Sequence, residues 1–132
     1  MNLLLDTHIW LWNSLEPWKI TSEVNQAFAD PQNELFLSPV SIWELETLLE
    51  KKRVFLEEET EVWIEKSKTD LMLREAAFSW AVADELRSTI LGHRDPADRF
   101  LVATAKAYSL TLVTADTRLM QRIPGLNVLA NR

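Results

Sequence analysis

Asp98 is the first residue in this chain whose position asks for a chemical explanation. It follows His93-Arg94-Asp95-Pro96-Ala97, a well-formed helix entry with Asp95 as N-cap and Pro96 at the first helical position. Three, four and seven residues on stand Leu101, Val102 and Ala105, so the carboxylate heads the apolar stripe that must face the core. An inward acid is costly unless it is paired or coordinates a metal. Glu44 poses the same problem, because its helical neighbours Val40, Ser41 and Leu48 form a face that wants burial. Asp6 and Asp116 each end a short apolar run of strand character. Four acids that converge would repel strongly: two carboxylates 4 Å apart do so by ~4 kcal/mol at an effective dielectric of 20. A hard dication such as Mg2+ or Mn2+ resolves that conflict, taking oxygen ligands and completing its shell with water and phosphate.

The elements that position these acids follow from periodicity and turn chemistry. Asn2-Leu3-Leu4-Leu5 reads as a strand buried on both faces, and His8 to Asn13 as a helical turn or two stopped before Pro17. Thr21 or Ser22 caps a helix through Val24, Ala27 and Phe28, broken by Asp30-Pro31-Gln32-Asn33. Leu35-Phe36-Leu37 is a second strand, and Ser38 with Pro39 opens a helix to about Lys52. Further helices are expected from Thr60 to about Lys68 and from Ala76 to Leu86, with a third strand at Leu71-Met72-Leu73 between them. The helix at Asp95 is followed by a strand over 110–114, a short helix over 117–121 and a last strand at Asn127-Val128-Leu129. This alternation predicts an α/β fold, one domain over residues 1–132, with a central parallel sheet of about five strands and helices on both faces. In such sheets ligands gather beyond the carboxyl ends of the strands, where strand order reverses. Asp6, Asp98 and Asp116 fall near that edge, and Glu44 lies a turn and a half into the helix leaving the second strand, so that one pocket can collect all four. Taken singly, Asp6 and Asp116 read equally well as helix caps, and Asp95 and Asp98 as ordinary helix-entry residues.

Composition narrows the classes. At 132 residues and 47% apolar, the chain suits one core. No apolar run approaches the ~20 residues of a membrane span, and Met1 to Asp6 lacks the basic start of a signal peptide, so a soluble, cytoplasmic protein is expected. With no cysteine and two histidines, thiolate and conventional zinc sites are excluded and any metal is bound through oxygen. The net charge of −6 argues against a general nucleic-acid binder, so a phosphate entering the acid pocket needs the cation and local arginines, of which Arg94, Arg99 and Arg118 flank the acids. These arginines pair equally well with the acids themselves. His8 and His93 are more naturally structural hydrogen-bonders than ligands. Of six tryptophans, Trp43, Trp63 and Trp80 are expected to fill the core, and Trp10, Trp12 or Trp18 to lie at an interface.

The same segments resemble the PIN-domain nucleases, and among them the VapC-like toxins of bacterial toxin–antitoxin pairs. Leu4-Leu5-Asp6-Thr7-His8-Ile9-Trp10 is similar to the family's opening motif, and Ser38-Pro39-Val40-Ser41-Ile42-Trp43-Glu44-Leu45 to its serine-and-glutamate helix. His93 to Arg99 resembles the signature of one subgroup, although Ala97 stands where that subgroup often has an aromatic, and Leu112 to Asp116 resembles the final acidic motif. The resemblance implies a PIN domain over the whole chain, acting as an endoribonuclease dependent on Mg2+ or Mn2+. It makes Asp6, Glu44, Asp98 and Asp116 the metal-binding and catalytic quartet. Asp95 is then an accessory acid, Arg99 an accessory cation, and Thr7, Ser41 and Thr114 hydrogen-bond the carboxylates from behind. It also implies a homodimer and a cognate antitoxin as partner. A receiver-like phosphoacceptor is the chief alternative, but it wants a lysine at the end of its last strand, where this chain reads Val128-Leu129-Ala130-Asn131-Arg132. A haloacid-type phosphatase wants a second aspartate two residues beyond Asp6, where His8 stands. A PIN scaffold that binds RNA or protein without cleaving would not need all four acids.

Overall fold

The structure is a computed structural model that describes residues 1–92 and 95–132. Five parallel strands, β1 (Asn2–Leu5), β2 (Glu34–Leu37), β3 (Arg74–Glu75), β4 (Thr111–Thr114) and β5 (Asn127–Ala130), lie in the order β3-β2-β1-β4-β5. The register pairs Leu3 with Leu35 and Leu4 with Leu112. The chain winds outward from β1 through β2 to β3, then returns to the other side of β1 with β4. The switch in winding direction therefore lies between β1 and β4.

Strand alternation sends successive β1 side chains to opposite faces. Leu3 and Leu5 enter a core with Ile9, Trp10 and Leu11 of α1 (Thr7–Leu15), Val24 of α2 (Ser22–Ala29), Leu45 of α3 (Pro39–Glu50), and Trp63 and Ile64 of α4 (Thr60–Asp70). Leu4 and Leu112 meet Leu101, Val102 and Ala105 of α6 (Pro96–Tyr108), over which α5 (Trp80–Ser88) packs. Helices thus cover both faces of the sheet. Local chemistry sets their starts: Thr21, Ser38 and Ser79 accept the N–H of Val24, Val40 and Val82, and Asp95 accepts those of Ala97 and Asp98. Among the described residues no helix is long and apolar enough to cross a membrane.

Three elements differ from the sequence expectation. The strand expected at Leu71-Met72-Leu73 lies three residues later, because α4 closes through these residues: the Met72 and Leu73 N–H groups donate to Thr69 and Lys68 carbonyls, with Met72 at φ 51°. Helix α5 starts at Trp80 rather than Ala76, since the Ala76 N–H extends the ladder to Leu37 and Tyr108 Oη donates to the Ala77 carbonyl. The helix expected over 117–121 is a pair of i to i+3 turns, Leu119 to Asp116 and Met120 to Thr117. The tryptophans also redistribute. Trp10 is fully buried, donating to Ser67 Oγ at 2.7 Å with its ring 5.1 Å from that of Trp63, because α1 begins early enough to turn Ile9, Trp10 and Leu11 inward. Trp43 sits between the inward positions Ser41 and Leu45 and is 58% exposed, while Trp80 opens α5 and is 92% exposed. Trp63 is in the core and Trp18 is exposed.

Candidate functional site

Asp6 leaves β1 at the switch point, held by its backbone N–H to the Val113 carbonyl at 3.0 Å. It stands at the N-cap position of α1, yet its carboxylate makes no cap hydrogen bond. Instead Oδ2 accepts from Thr114 Oγ1 at 2.6 Å, and Thr114 Oγ1 in turn accepts the Asp116 N–H at 3.1 Å. One hydroxyl at the end of β4 therefore ties together the acids that follow two neighbouring strands. Asp6 is buried, and that desolvation pushes its carboxyl above the usual range even though Thr114 opposes the rise.

Asp98 is buried too, in the first turn of α6, but the capping work there is done by Asp95. Arg118 reaches Asp98 Oδ2 at 3.6 Å while its Nε and Nη2 donate to Asp116 at 3.1, 3.2 and 2.7 Å. Asp116 also accepts the Arg118 backbone N–H at 2.9 Å, closing a tight turn after β4. The bonds to Asp116 raise the Arg118 pKa above its ordinary value.

Helix α3 supplies Glu44 and a relay behind it. Thr7 Oγ1 donates to Glu44 Oε1 and lies 2.8 Å from Ser41 Oγ. Thr7 has one proton to give, so Ser41 must be the donor to Thr7, and the order runs Ser41, Thr7, Glu44. Both hydroxyl residues are fully buried. Burial first, then the nearby Asp6, Asp95 and Asp98 charges, lift the Glu44 carboxyl to about 7 against the pull of Thr7.

These groups line one cleft of about 270 Å³, bounded by Asp6, His8, Trp12, Glu44, Asp95, Asp98, Ala115, Asp116 and Arg118. All four acids singled out by the sequence are in it. Trp12, one of three tryptophans expected at an interface, and His8, expected to be a structural hydrogen-bonder, both line the cleft, with ring centroids 5.9 Å apart. The signal was available, since residues four apart share a helix face and α1 begins directly after Asp6. Arg99 is directed elsewhere: its guanidinium donates to the Leu86 and Thr89 carbonyls at the end of α5, as a cation commonly does at a helix C-terminus, and it lines a separate, more apolar cavity of about 430 Å³. His93 and Arg94 lie outside the described residues. Among the described residues no three acids close around a single point as the side chains stand. The donor set nonetheless suits a hard dication, being carboxylate oxygen from β1, α3, α6 and the turn after β4.

Strand order and cleft together define the class, an α/β protein with an acidic site at the switch point of a 3-2-1-4-5 parallel sheet. The model of the PIN domain family matches residues 3–126, and the chain belongs to that family. It is 33% identical over 120 residues to Ribonuclease VapC22 of Mycobacterium tuberculosis, covering 89% of this chain and 88% of that protein. Its fold is similar to those in the DNA-bound VapBC structure from Salmonella typhimurium (TM-score 0.69, 16% identity) and in VapBC2 from Rickettsia felis bound to promoter DNA (TM-score 0.65, 21% identity). Each of these matches covers 98% of both chains. The order 3-2-1-4-5 also sets aside a receiver, whose flavodoxin-like sheet runs 2-1-3-4-5.

Proposed function

We propose that residues 1–132 act as one ribonuclease unit, the toxin of a toxin–antitoxin pair, hydrolysing RNA phosphodiester bonds with Mg2+ or Mn2+ held by Asp6, Glu44, Asp98 and Asp116. The observation that carries the reading is the meeting in one cleft of acids from four separate segments, two of them buried and none of those two used as a helix cap. The 33% identity to a ribonuclease over most of both chains supports the choice of substrate. A bound dication supplies charge neutralisation, polarises a phosphoryl oxygen and acidifies a water.

The chain's own residues have distinct parts. Asp6 and Asp98, the most buried acids, would make the direct contacts to the ion, with Glu44 and Asp116 as further ligands through water. Thr114 fixes the orientation of Asp6, as Ser41 and Thr7 fix that of Glu44. Glu44, held at Oε1 by Thr7, would also orient the attacking water. Asp95 remains chiefly a helix cap at the cleft's edge. The test is cleavage of single-stranded RNA by the purified protein with Mn2+ or Mg2+. Wild type should cleave, chelator should stop it, and folded Asp98→Asn should be at least a hundredfold slower on the scale of losing one charge-stabilising group. Undiminished cleavage by that variant removes Asp98 from the mechanism.

The partners follow from the same likeness. The two solved structures described above are VapBC complexes, which supports a cognate antitoxin, and the exposed Trp18, Trp43 and Trp80 offer apolar surface for that partner and for a second copy of the chain. The cytoplasm, where RNA is the available substrate, is the compartment this reading assigns. Expression without the antitoxin should arrest growth, and Asp6→Asn should relieve the arrest.

A further inference from the structure

Arg118 is the only lysine or arginine among the described residues that line the acidic cleft. Its guanidinium does more than close its own turn. The turn is already secured by its backbone N–H on Asp116 Oδ1, yet Nη2 extends from Asp116 Oδ2 at 2.7 Å towards Asp98 Oδ2 at 3.6 Å. A single positive charge thus bridges acids from two segments far apart in sequence, the start of α6 and the end of β4. The Arg118 side chain is 53% exposed, so it has room to leave, whereas Asp98 is packed in place.

On the reading that these acids hold a dication, the arginine and the ion compete for the same carboxylate oxygens. We propose that Arg118 is a resident counter-ion of the cleft, which stabilises the metal-free protein and must be displaced before Mg2+ or Mn2+ binds across Asp98 and Asp116. Its presence raises the metal concentration at which the site fills. A purely turn-forming arginine would act in the opposite sense, because losing it would loosen Asp116 and weaken the ion.

The experiment is calorimetric titration of Mn2+ into the full chain at low ionic strength, comparing wild type with Arg118→Gln, Arg118→Lys and Asp98→Asn. The counter-ion role predicts Mn2+ binding about two- to fivefold tighter in Arg118→Gln, the factor expected when a half-exposed ion pair no longer has to be broken. Arg118→Lys keeps the charge but loses the fork, so it should show a smaller gain, and it carries the test if the glutamine variant does not fold. Added salt should narrow the difference. Equal or weaker Mn2+ binding in the Arg118 variants, with binding lost in Asp98→Asn, overturns the counter-ion role and leaves the metal reading standing. Wild-type binding in Asp98→Asn would instead remove the metal reading and the counter-ion role with it.

Discussion

Replacing Asp6 by Asn should make the metal-free protein more stable while disabling it. The cleft of about 270 Å³ is roughly 8 Å across, taken as a sphere, and like charges at that separation repel by about 2 kcal/mol at an effective dielectric near 20. Water at the mouth and the Arg118 charge reduce this, so about 1–2 kcal/mol of relief is expected at pH 8. Asn retains an oxygen to accept from Thr114 Oγ1, so the cost of the exchange is small. For 132 residues the unfolding entropy is about 0.28 kcal/mol per degree, which converts the relief into a rise of about 4–7 °C in Tm. The assay is thermal unfolding in chelator and again in excess Mn2+. Wild type should gain stability from Mn2+ by mass action, and Asp6→Asn should gain little or none. A variant that melts below wild type in chelator would refute the claim that Asp6 is held in an electrostatically unfavourable place.

The remaining predictions concern other parts of the molecule. Glu44 titrates near 7 in the fold against an ordinary value of 4.5, so between those values the folded chain holds a proton the unfolded chain has released. Metal-free stability should therefore fall as pH rises through that window and level off above it, and urea midpoints of Glu44→Gln should change less between pH 5 and pH 8. Met72 closes α4 with φ 51° and is exposed, so Met72→Gly should stabilise by about 1 kcal/mol, seen as a Tm rise of about 3–4 °C. Trp10→Phe leaves Ser67 without its buried donor and a void against Trp63. It should cost about 2–4 kcal/mol in chemical denaturation, and a loss below 1 kcal/mol would contradict the packing described.

Legibility in the sequence followed the range of the interactions. β1, β2 and β4, the start of α3 and the start of α6 were readable because continuous apolar runs, Ser38-Pro39 and Asp95-Pro96 encode them within a few residues. Glu44 and Asp98 were readable for the same reason, since a charge on an apolar helix stripe is a local contradiction, and Asp6 and Asp116 because each directly follows a strand-like run. What failed depended on an unlabelled helix end close by or on partners distant in the chain. Leu71-Met72-Leu73 looks like a strand until the end of α4 takes its backbone, and Ala76-Ala77-Phe78 looks helical until Leu37 and Tyr108 claim it. With only two glycines in the chain, the left-handed helix ends fall to Lys52, Met72 and Ser109, which carry no such label in the sequence. The arginines illustrate the limit most directly: Arg99 and Arg118 both flank acids in sequence, yet one closes a helix end and the other lies in the cleft.

Everything proposed about chemistry requires that the cleft hold a dication. The direct measurement is anomalous diffraction from crystals of the protein soaked in Mn2+. A single strong peak bonded to carboxylate oxygens of Asp6 and Asp98, with the Arg118 guanidinium withdrawn from Asp98, is the predicted result. Manganese bound only at surface acids, with the cleft unchanged and Arg118 still bridging Asp98 and Asp116, would contradict the account.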